Sequence, residues 1–274
     1  MSHGARPADV VRSAVDHPFA HVAARLGYVI SGLMHLLIAY LIVRIAMGSG
    51  GDADQTGALR TVAMTGGGNV ALWATAAALI PLTLWRLAET ILGLHPGEHG
   101  ARADPKDFRW TNRLKAFGLA VVYTAVGVTA VQFALGRRES GAAENAGLSA
   151  RLMRSPEGKA VLVAVGLVIV GIGCYFAYKG ASRRFCADLK VSPGSVVTVL
   201  GIVGYVAEGL VLAGVGALVI IAAVRADPSK ATGLDGAVKT LGQGPNGTVL
   251  VLCAALGFAA YGCYSFALSR YSRM

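Results

Sequence analysis

Six long stretches of apolar residues, separated by short polar segments, run through the chain. Each stretch has close to the roughly 20 apolar residues that an α-helix needs to cross about 30 Å of hydrocarbon. Because a helix satisfies its own backbone hydrogen bonds, the pattern predicts six membrane-spanning helices. The predicted spans cover residues 26–47, 70–94, 116–135, 160–178, 196–224 and 249–268.

Short motifs recur along the chain and pair the six spans into three repeats. The recurrences are Arg25-Leu26 as Arg113-Leu114, Gly27-Tyr28 and Gly32 as Gly204-Tyr205 and Gly209, and Gly173-Cys174-Tyr175 as Gly262-Cys263-Tyr264. Self-similarity of this kind indicates copies of one supersecondary unit. The expected fold is an all-α integral membrane protein with six transmembrane helices. These form three tandem two-helix repeats with pseudo-threefold symmetry about the membrane normal.

The repeats also define the boundaries of the units and loops. The predicted division is an N-terminal segment at 1–25, repeat 1 at 26–94, a loop at 95–115, repeat 2 at 116–178, a loop at 179–195, repeat 3 at 196–268 and a tail at 269–274. A weak helical pattern over residues 9–16 predicts an interfacial helix in the first segment. Similar segments at 57–62 and 236–241, with a weaker match at 150–153, predict three short helices on the outer surface of the bundle.

Composition supports a membrane protein and indicates its orientation. Hydrophobic residues make up 54% of the chain and charged residues 15%, whereas soluble domains carry about 25% charged residues. The segments on the side of the termini hold 14 Lys and Arg, against 9 on the opposite side. The positive-inside rule therefore predicts a multi-pass plasma (inner) membrane protein with both termini, and the two loops on their side, in the cytoplasm. The net charge of +10 favours anionic membrane lipid as a partner, and not nucleic acid.

The repeats carry a family resemblance. The Arg-x-Gly-Tyr-x-x-x-Gly pattern at 25–32, the Gly-Ala-Leu/Val-x-Thr turn and the threefold pairing resemble a bacterial membrane family that is frequent in actinobacteria. It is the family catalogued as domain of unknown function twelve-oh-six. The resemblance covers residues 20 to 270, and the middle repeat departs from it with Lys115-Ala116 in place of Gly-Tyr. It implies the fold, and the family carries no agreed activity or catalytic residues.

Polar side chains at three positions are predicted inside the membrane, where a charged group costs about 2.5–3.5 kcal/mol on insertion scales. Glu208 lies near the middle of the fifth span and His35 near the middle of the first. Aligning the repeats places Ser31 opposite Glu208, and His35 opposite Tyr123 and Leu212. Residues four apart share a helix face. If the first helix of each repeat lines the bundle axis, His35, Tyr123 and Glu208 should therefore converge there.

This candidate polar centre has two interpretations. The first is a centre that responds to a proton or a ligand. The second is a hydrogen-bonded cluster that fixes packing, because buried polar groups in proteins usually have hydrogen-bond partners.

A second candidate lies in the second span, where Arg86 and Glu89 stand three residues apart. That spacing permits an intramembrane ion pair within one helix. The pair is either structural or part of a pocket for an anionic headgroup. Trp85, Tyr175 and Tyr264 are expected in an interfacial aromatic belt.

The sequence carries no catalytic, cofactor or metal motif. His95, Glu98 and His99 resemble a zinc motif, but Pro96-Gly97 breaks the helix that such a motif requires. We therefore expect no catalytic residues, no cofactor and no metal.

Three functions are compatible with the pattern. The first choice is a non-enzymatic accessory or scaffold subunit of another membrane complex, with lipid as a second partner. The alternative is a small transporter or channel, in which His35, Tyr123 and Glu208 line the path. The least favoured is a membrane redox or lipid-modifying enzyme.

Overall fold

A computed structural model describes residues 18–92, 110–137, 140–190 and 193–272 of the chain. These ranges form nine α-helices and two short 3-10 helices, Arg184–Asp188 and Pro228–Lys230. The α-helices are α1 (Pro18–Ala46), α2 (Gln55–Ala63), α3 (Gly68–Leu92), α4 (Trp110–Ala134), α5 (Gly141–Leu152), α6 (Pro156–Ala181), α7 (Ser195–Arg225), α8 (Leu234–Gly242) and α9 (Gly247–Tyr271). The interfacial helix expected at 9–16 lies outside the described residues.

Six of these helices, α1, α3, α4, α6, α7 and α9, are long and apolar enough to cross a membrane. The all-α membrane fold that the hydrophobic pattern predicts is therefore confirmed. All six spanning helices begin earlier than predicted, and the differences are largest for α1 at Pro18, α4 at Trp110 and α6 at Pro156. Proline fits the first turn of a helix, where its missing N–H has no partner in any case.

One short helix lies between the two spans of each repeat, as expected. These helices are α2 in repeat 1, α5 in repeat 2 and α8 in repeat 3. We call these three helices the cap. The backbone N–H of Gly141, at the start of α5, donates to Thr56 Oγ1 of α2 at 3.1 Å. The N–H of Ala53, just before α2, donates to Asp235 Oδ1 of α8 at 2.9 Å. Polar contacts thus join the cap helices of different repeats.

The closest helix pairs cross the boundaries between repeats. The second span of each repeat packs on the first span of the next, in the pairs α3–α4, α6–α7 and α9–α1. These three interfaces occupy equivalent places in the three copies, and the third one closes the chain on itself. The helix α9 also packs on α7, so it lies against both α1 and α7.

Glycines set the distance between the helix backbones in two of these pairs. A Cβ atom at Gly173 of α6 would lie 2.6 Å from the carbonyl oxygen of Gly209 and 2.5 Å from the nitrogen of Ala213, both on α7. A Cβ at Gly32 of α1 would lie 2.9 Å from the carbonyl oxygen of Gly262 on α9. Small residues allow backbones in a bilayer to approach closely enough for van der Waals packing to hold them together.

Another set of glycines joins each cap helix to the span that follows it. A Cβ atom at Gly68, Gly158 or Gly247 would overlap a carbonyl oxygen near the end of the preceding cap helix. The three positions are equivalent in the repeats, since each lies in the first turn of the second span of its copy. This contact explains the glycine in the turn after each cap helix.

The tight α6–α7 contact predicts a sharp difference between two glycines on the same helix. Gly173→Ala puts a methyl group into the backbone of α7, and overpacking of this kind costs about 1–3 kcal/mol. Gly171→Ala is the control, because no atom lies within 4 Å of its Cβ position. We expect a lower unfolding temperature in detergent for Gly173→Ala, measured by circular dichroism, and no loss for Gly171→Ala. Equal unfolding temperatures would contradict this packing.

Candidate functional site

The structure brings together two of the three predicted polar residues. His35 on α1 and Glu208 on α7 face each other, with Nε2 of the imidazole 3.4 Å from Oε1 of the carboxyl group. Their side chains are 17% and 20% exposed. Both lie in the central part of their spans, so the contact is an acid–base pair inside the membrane.

A backbone carbonyl determines which nitrogen of His35 carries hydrogen. Nδ1 of the ring lies 2.7 Å from the carbonyl oxygen of Ser31, one turn earlier on α1. A carbonyl oxygen accepts hydrogen bonds and cannot donate them, so Nδ1 carries a hydrogen. The other ring nitrogen, Nε2, is then free to accept a proton or to hold one.

The contact between His35 and Glu208 therefore needs one further proton. With Nδ1 protonated, a neutral ring presents a lone pair at Nε2, and an ionised carboxylate would face it with another lone pair. The pair is attractive when Nε2 carries the proton and the carboxylate is ionised, or when the carboxyl group is neutral and donates to Nε2. In either form the pair holds one proton between α1 and α7.

Glycines bring the helices that carry the pair against α9. A Cβ atom at Gly204, one turn before Glu208 on α7, would lie 2.7 Å from the Cα of Tyr261 on α9. A Cβ at Gly257 of α9 would overlap the Cβ of Ala207 on α7. Together with the contact between Gly32 and Gly262, these approaches place α1 and α7 on neighbouring sides of α9.

Aromatic rings of α9 enclose the imidazole of His35. The ring of Phe258 stacks on it at a centroid distance of 5.8 Å, and the ring of Tyr261 lies at 4.8 Å. The second carboxyl oxygen of Glu208, Oε2, is buried and makes no hydrogen bond with any described residue. Tyr261 is the titratable group that faces the pair from α9.

The repeats supply an internal comparison for this site. The positions equivalent to Glu208 hold Ser31 and Leu119, and one position equivalent to His35 holds Leu212. The same helix face can therefore be apolar in this fold, and packing by itself does not demand an acid and a base there. Of the three boundaries between repeats, the one between repeats 3 and 1 carries the His35–Glu208 pair.

Tyr123, the third residue expected at the centre, lies elsewhere. It is half-buried on α4, and α4 packs on α3 and α2. Among the described residues, His35 interacts with Ser31, Glu208 and the rings of α9, and not with Tyr123. The repeats predicted convergence from ideal symmetry, whereas the α3–α4 pair packs less closely on the rest of the bundle.

Two other predictions have mixed outcomes. Arg86 is half-buried on α3, but the side chain of Glu89 lies outside the described part of the structure, so their ion pair stays a prediction. Tyr175 is 49% exposed, as an interfacial residue would be, whereas Tyr264 is completely buried. The expectation that Tyr264 belongs to an interfacial belt is wrong, because Phe185 packs across its ring at 5.3 Å.

A polar and aromatic cluster near the ends of α6 and α9 was missed by the sequence reasoning. Lys179 on α6 binds Asp188 of the first 3-10 helix, with Nζ 2.7 Å from Oδ2. The same Nζ lies 5.1 Å from the ring centre of Tyr205 on α7. Tyr205 was visible as part of the repeated Gly-Tyr motif. No sequence signal showed that Lys179 and Asp188 would meet it.

The described residues contain no group of three or more His, Cys, Asp or Glu side chains placed to hold a metal ion. The His95–His99 segment lies outside them.

The fold and its repeats define the class of this protein. Six membrane-spanning helices, arranged as three two-helix repeats with a cap helix in each, make it an integral membrane protein built by triplication. The family model described as Domain of Unknown Function (DUF1206) matches three consecutive times, at residues 26–93, 114–183 and 203–272. The chain therefore belongs to this family, as its motifs suggested.

One relative is similar over almost its whole length. It is the Uncharacterized protein YxxB of Bacillus subtilis (strain 168), which is 26% identical over 264 residues. The match covers 94% of this chain and 93% of the relative. No solved structure matches the chain. Neither the family description nor the relative's name states an activity, so the site itself must support any functional proposal.

The contact between His35 and Glu208 predicts strong coupling in a double-mutant cycle. Leucine is the natural replacement, because equivalent positions in the repeats already hold it. Each single variant, His35→Leu or Glu208→Leu, leaves a buried polar group without its partner and should cost roughly 1–3 kcal/mol. The double variant should cost less than the sum, which unfolding in detergent would measure. Simple additivity would show that the two groups do not interact.

Proposed function

We propose that this chain is a proton-responsive integral membrane protein, with the His35–Glu208 pair as its proton-binding centre. The observation that supports this proposal is the hydrogen bond from Nδ1 of His35 to the carbonyl oxygen of Ser31. It leaves Nε2 facing the carboxyl group of Glu208. Ionisable residues inside a membrane are costly, and they commonly mark proton relays and transport paths.

Proton occupancy of the pair affects the packing of two repeats. One shared proton attracts α1 to α7, as described above. Loss of that proton leaves the carboxylate facing a lone pair of the ring, which removes the attraction and favours separation. A second proton gives an imidazolium beside a neutral carboxyl group, which also weakens the pair. Coupled groups of this kind titrate as a unit, in steps that belong to neither residue separately.

A small transporter is the class of function that this centre fits best. A proton that holds two repeats together in one state and releases them in another can drive alternating access, in which repeats move against each other around a central site. We place the protein in the bacterial plasma membrane with both termini in the cytoplasm. The excess of Lys and Arg on the side of the termini, 14 against 9, supports that orientation.

The first test measures proton binding at the pair. We expect the carboxyl C=O band in infrared spectra of the protein in lipid vesicles to change across the range in which Glu and His titrate. Part of that change should disappear in Glu208→Gln and shift in His35→Leu, since the two groups share a proton.

Glu144→Gln is the matched control for this measurement, because Glu144 is exposed on the cap helix α5. It should leave the shared part of the titration unchanged. Identical spectra for wild type and Glu208→Gln at every pH would mean that Glu208 keeps one protonation state, and the proposal would fail.

A second candidate function is the accessory subunit expected from the sequence. The observation that favours it is a basic surface on the folded segment that follows α6, at residues 183–190. Phe185 is fully buried there, and the N–H of Lys190 donates to the carbonyl oxygen of Tyr271 at 2.8 Å. Arg183 and Arg184 remain exposed on the same segment. Cations at a membrane surface suit an anionic lipid or an acidic face of a partner complex.

Purification from the host membrane in mild detergent tests this second candidate. We expect a partner in stoichiometric amount with the wild type, identified by mass spectrometry. That partner should be lost when Arg183, Arg184 and Lys190 are all replaced by Gln. Retention of the same partner by the triple variant, or a protein that purifies without a partner, would count against the accessory role.

A further inference from the structure

A chain of titratable side chains leads from the His35–Glu208 pair toward one membrane face. The ring of Tyr261 lies 4.8 Å from that of His35, and the ring of Tyr205 meets Tyr261 edge to face at 5.1 Å. Lys179 follows, with Nζ 5.1 Å from the centre of the Tyr205 ring. Lys179 lies in the last turn of α6, so this series of side chains reaches the membrane face at which α6 and α9 end.

This series of titratable side chains ends at a group that water can reach. The carboxylate of Asp188 lies 2.7 Å from Nζ of Lys179, and its side chain is 45% exposed. Lys179 is 19% exposed, and Tyr205 is 5% exposed. Exposure therefore falls from Asp188 through Lys179 to Tyr205, as it should along a path that enters the membrane from water.

The opposite direction from the pair is closed by apolar side chains. On α1, the residues after His35 include Ile38 and Ile42, which are 3% and 0% exposed. They pack with Phe258 and Val251 of α9 and with residues of the cap in one buried cluster. The side chains of this cluster are apolar and offer no group that can bind a proton, so the cluster resists the passage of a proton toward the cap.

We propose that Asp188, Lys179, Tyr205 and Tyr261 form a proton path that connects the His35–Glu208 pair to the membrane face on which α6 and α9 end. In this conformation the pair exchanges protons with that face and not with the cap side. The path rests on the proposed function, because it serves proton binding at the pair.

The proton transfers balance along the path. A proton from water binds the carboxylate of Asp188. Lys179 passes one N–H proton toward the hydroxyl oxygen of Tyr205, and Asp188 replaces it. Tyr205 passes its own O–H proton to Tyr261, which passes its O–H proton to the pair. Each phenol loses one O–H bond and gains one, so neither is left charged, and ordered water can bridge any step that is too long for direct contact.

The repeats do not require this path. The position equivalent to Lys179 holds Leu268 in repeat 3 and Glu89 in repeat 1, and the residue equivalent to Tyr261 in repeat 2 is Ile172. The repeat pattern therefore requires neither Lys179 nor Tyr261. Three further titratable side chains face this region. They are the tyrosines Tyr28 of α1 and Tyr264 of α9, and Cys186 of the first 3-10 helix.

The test uses variants that keep the aromatic rings. In Tyr205→Phe/Tyr261→Phe the packing is retained while both hydroxyl groups are removed. The matched control is Tyr264→Phe, because Tyr264 belongs to the same cluster but its hydroxyl group has no hydrogen-bond partner among the described residues. Lys179→Met/Asp188→Asn removes the entrance of the path.

Proton exchange is followed in vesicles of phosphatidylcholine and phosphatidylglycerol, where protease access to a C-terminal tag reports which face is outside. After a rapid pH step outside, time-resolved infrared absorption of Glu208 gives the exchange rate. In wild type we expect proton exchange to be at least tenfold faster when the face with the ends of α6 and α9 is outside than when the cap side is outside. Both double variants should lose that advantage, while Tyr264→Phe keeps it and all four proteins reach the same titration at equilibrium.

Two results overturn the path while leaving the proposed function intact. One is a pair that titrates in wild type but exchanges at equal rates from both faces. The other is an unchanged rate in the two double variants. If the pair of the wild type does not titrate at all, the proposed function fails and the path fails with it.

Discussion

Direct contact between helix backbones is the constraint on which the rest of this structure depends. Lipid tails are as apolar as the side chains of the spans, so the hydrophobic effect does not drive the helices together within the bilayer. Packing and polar contacts must do so. At Gly173 against Gly209, and at Gly32 against Gly262, there is no room for even one methyl group. These two contacts occupy equivalent places in the repeats and fix α6 on α7 and α1 on α9.

The position of the polar site follows from the same contacts. With α1 and α7 both in contact with α9, His35 and Glu208 come within reach of each other, although α1 packs mainly on α9 and α7 mainly on α6. The two repeats are thus joined by glycine contacts through α9, which are insensitive to protonation, and by one direct polar contact, which is not. A change of proton occupancy can therefore alter the α1–α7 contact without dismantling the bundle.

Much of the fold could be predicted because it depends on properties that repeat. The spans follow from hydrophobicity, the three copies from recurring glycines and tyrosines, and the cap helices from similar segments between the spans.

The meeting of His35 and Glu208 followed from helix periodicity and the alignment of repeats. Tyr123 failed the same reasoning, because symmetry in sequence does not ensure equal packing. The α3–α4 interface lacks the close glycine contacts, with 3.8 Å between a Cβ at Gly127 and Leu79. The pairing of Lys179 with Asp188 depends on how one short 3-10 helix folds back, which no periodic pattern encodes.

We propose above all that one proton joins His35 to Glu208, with Nδ1 of the ring donating to the carbonyl oxygen of Ser31. Nitrogen NMR of labelled histidine in lipid bilayers reports directly which ring nitrogens carry hydrogen, and His35→Leu identifies the signal. We expect a protonated Nδ1 at neutral pH and an Nε2 signal that changes in Glu208→Gln. A His35 ring with a bare Nδ1, or an Nε2 signal that is the same with and without the carboxyl group of Glu208, would contradict it.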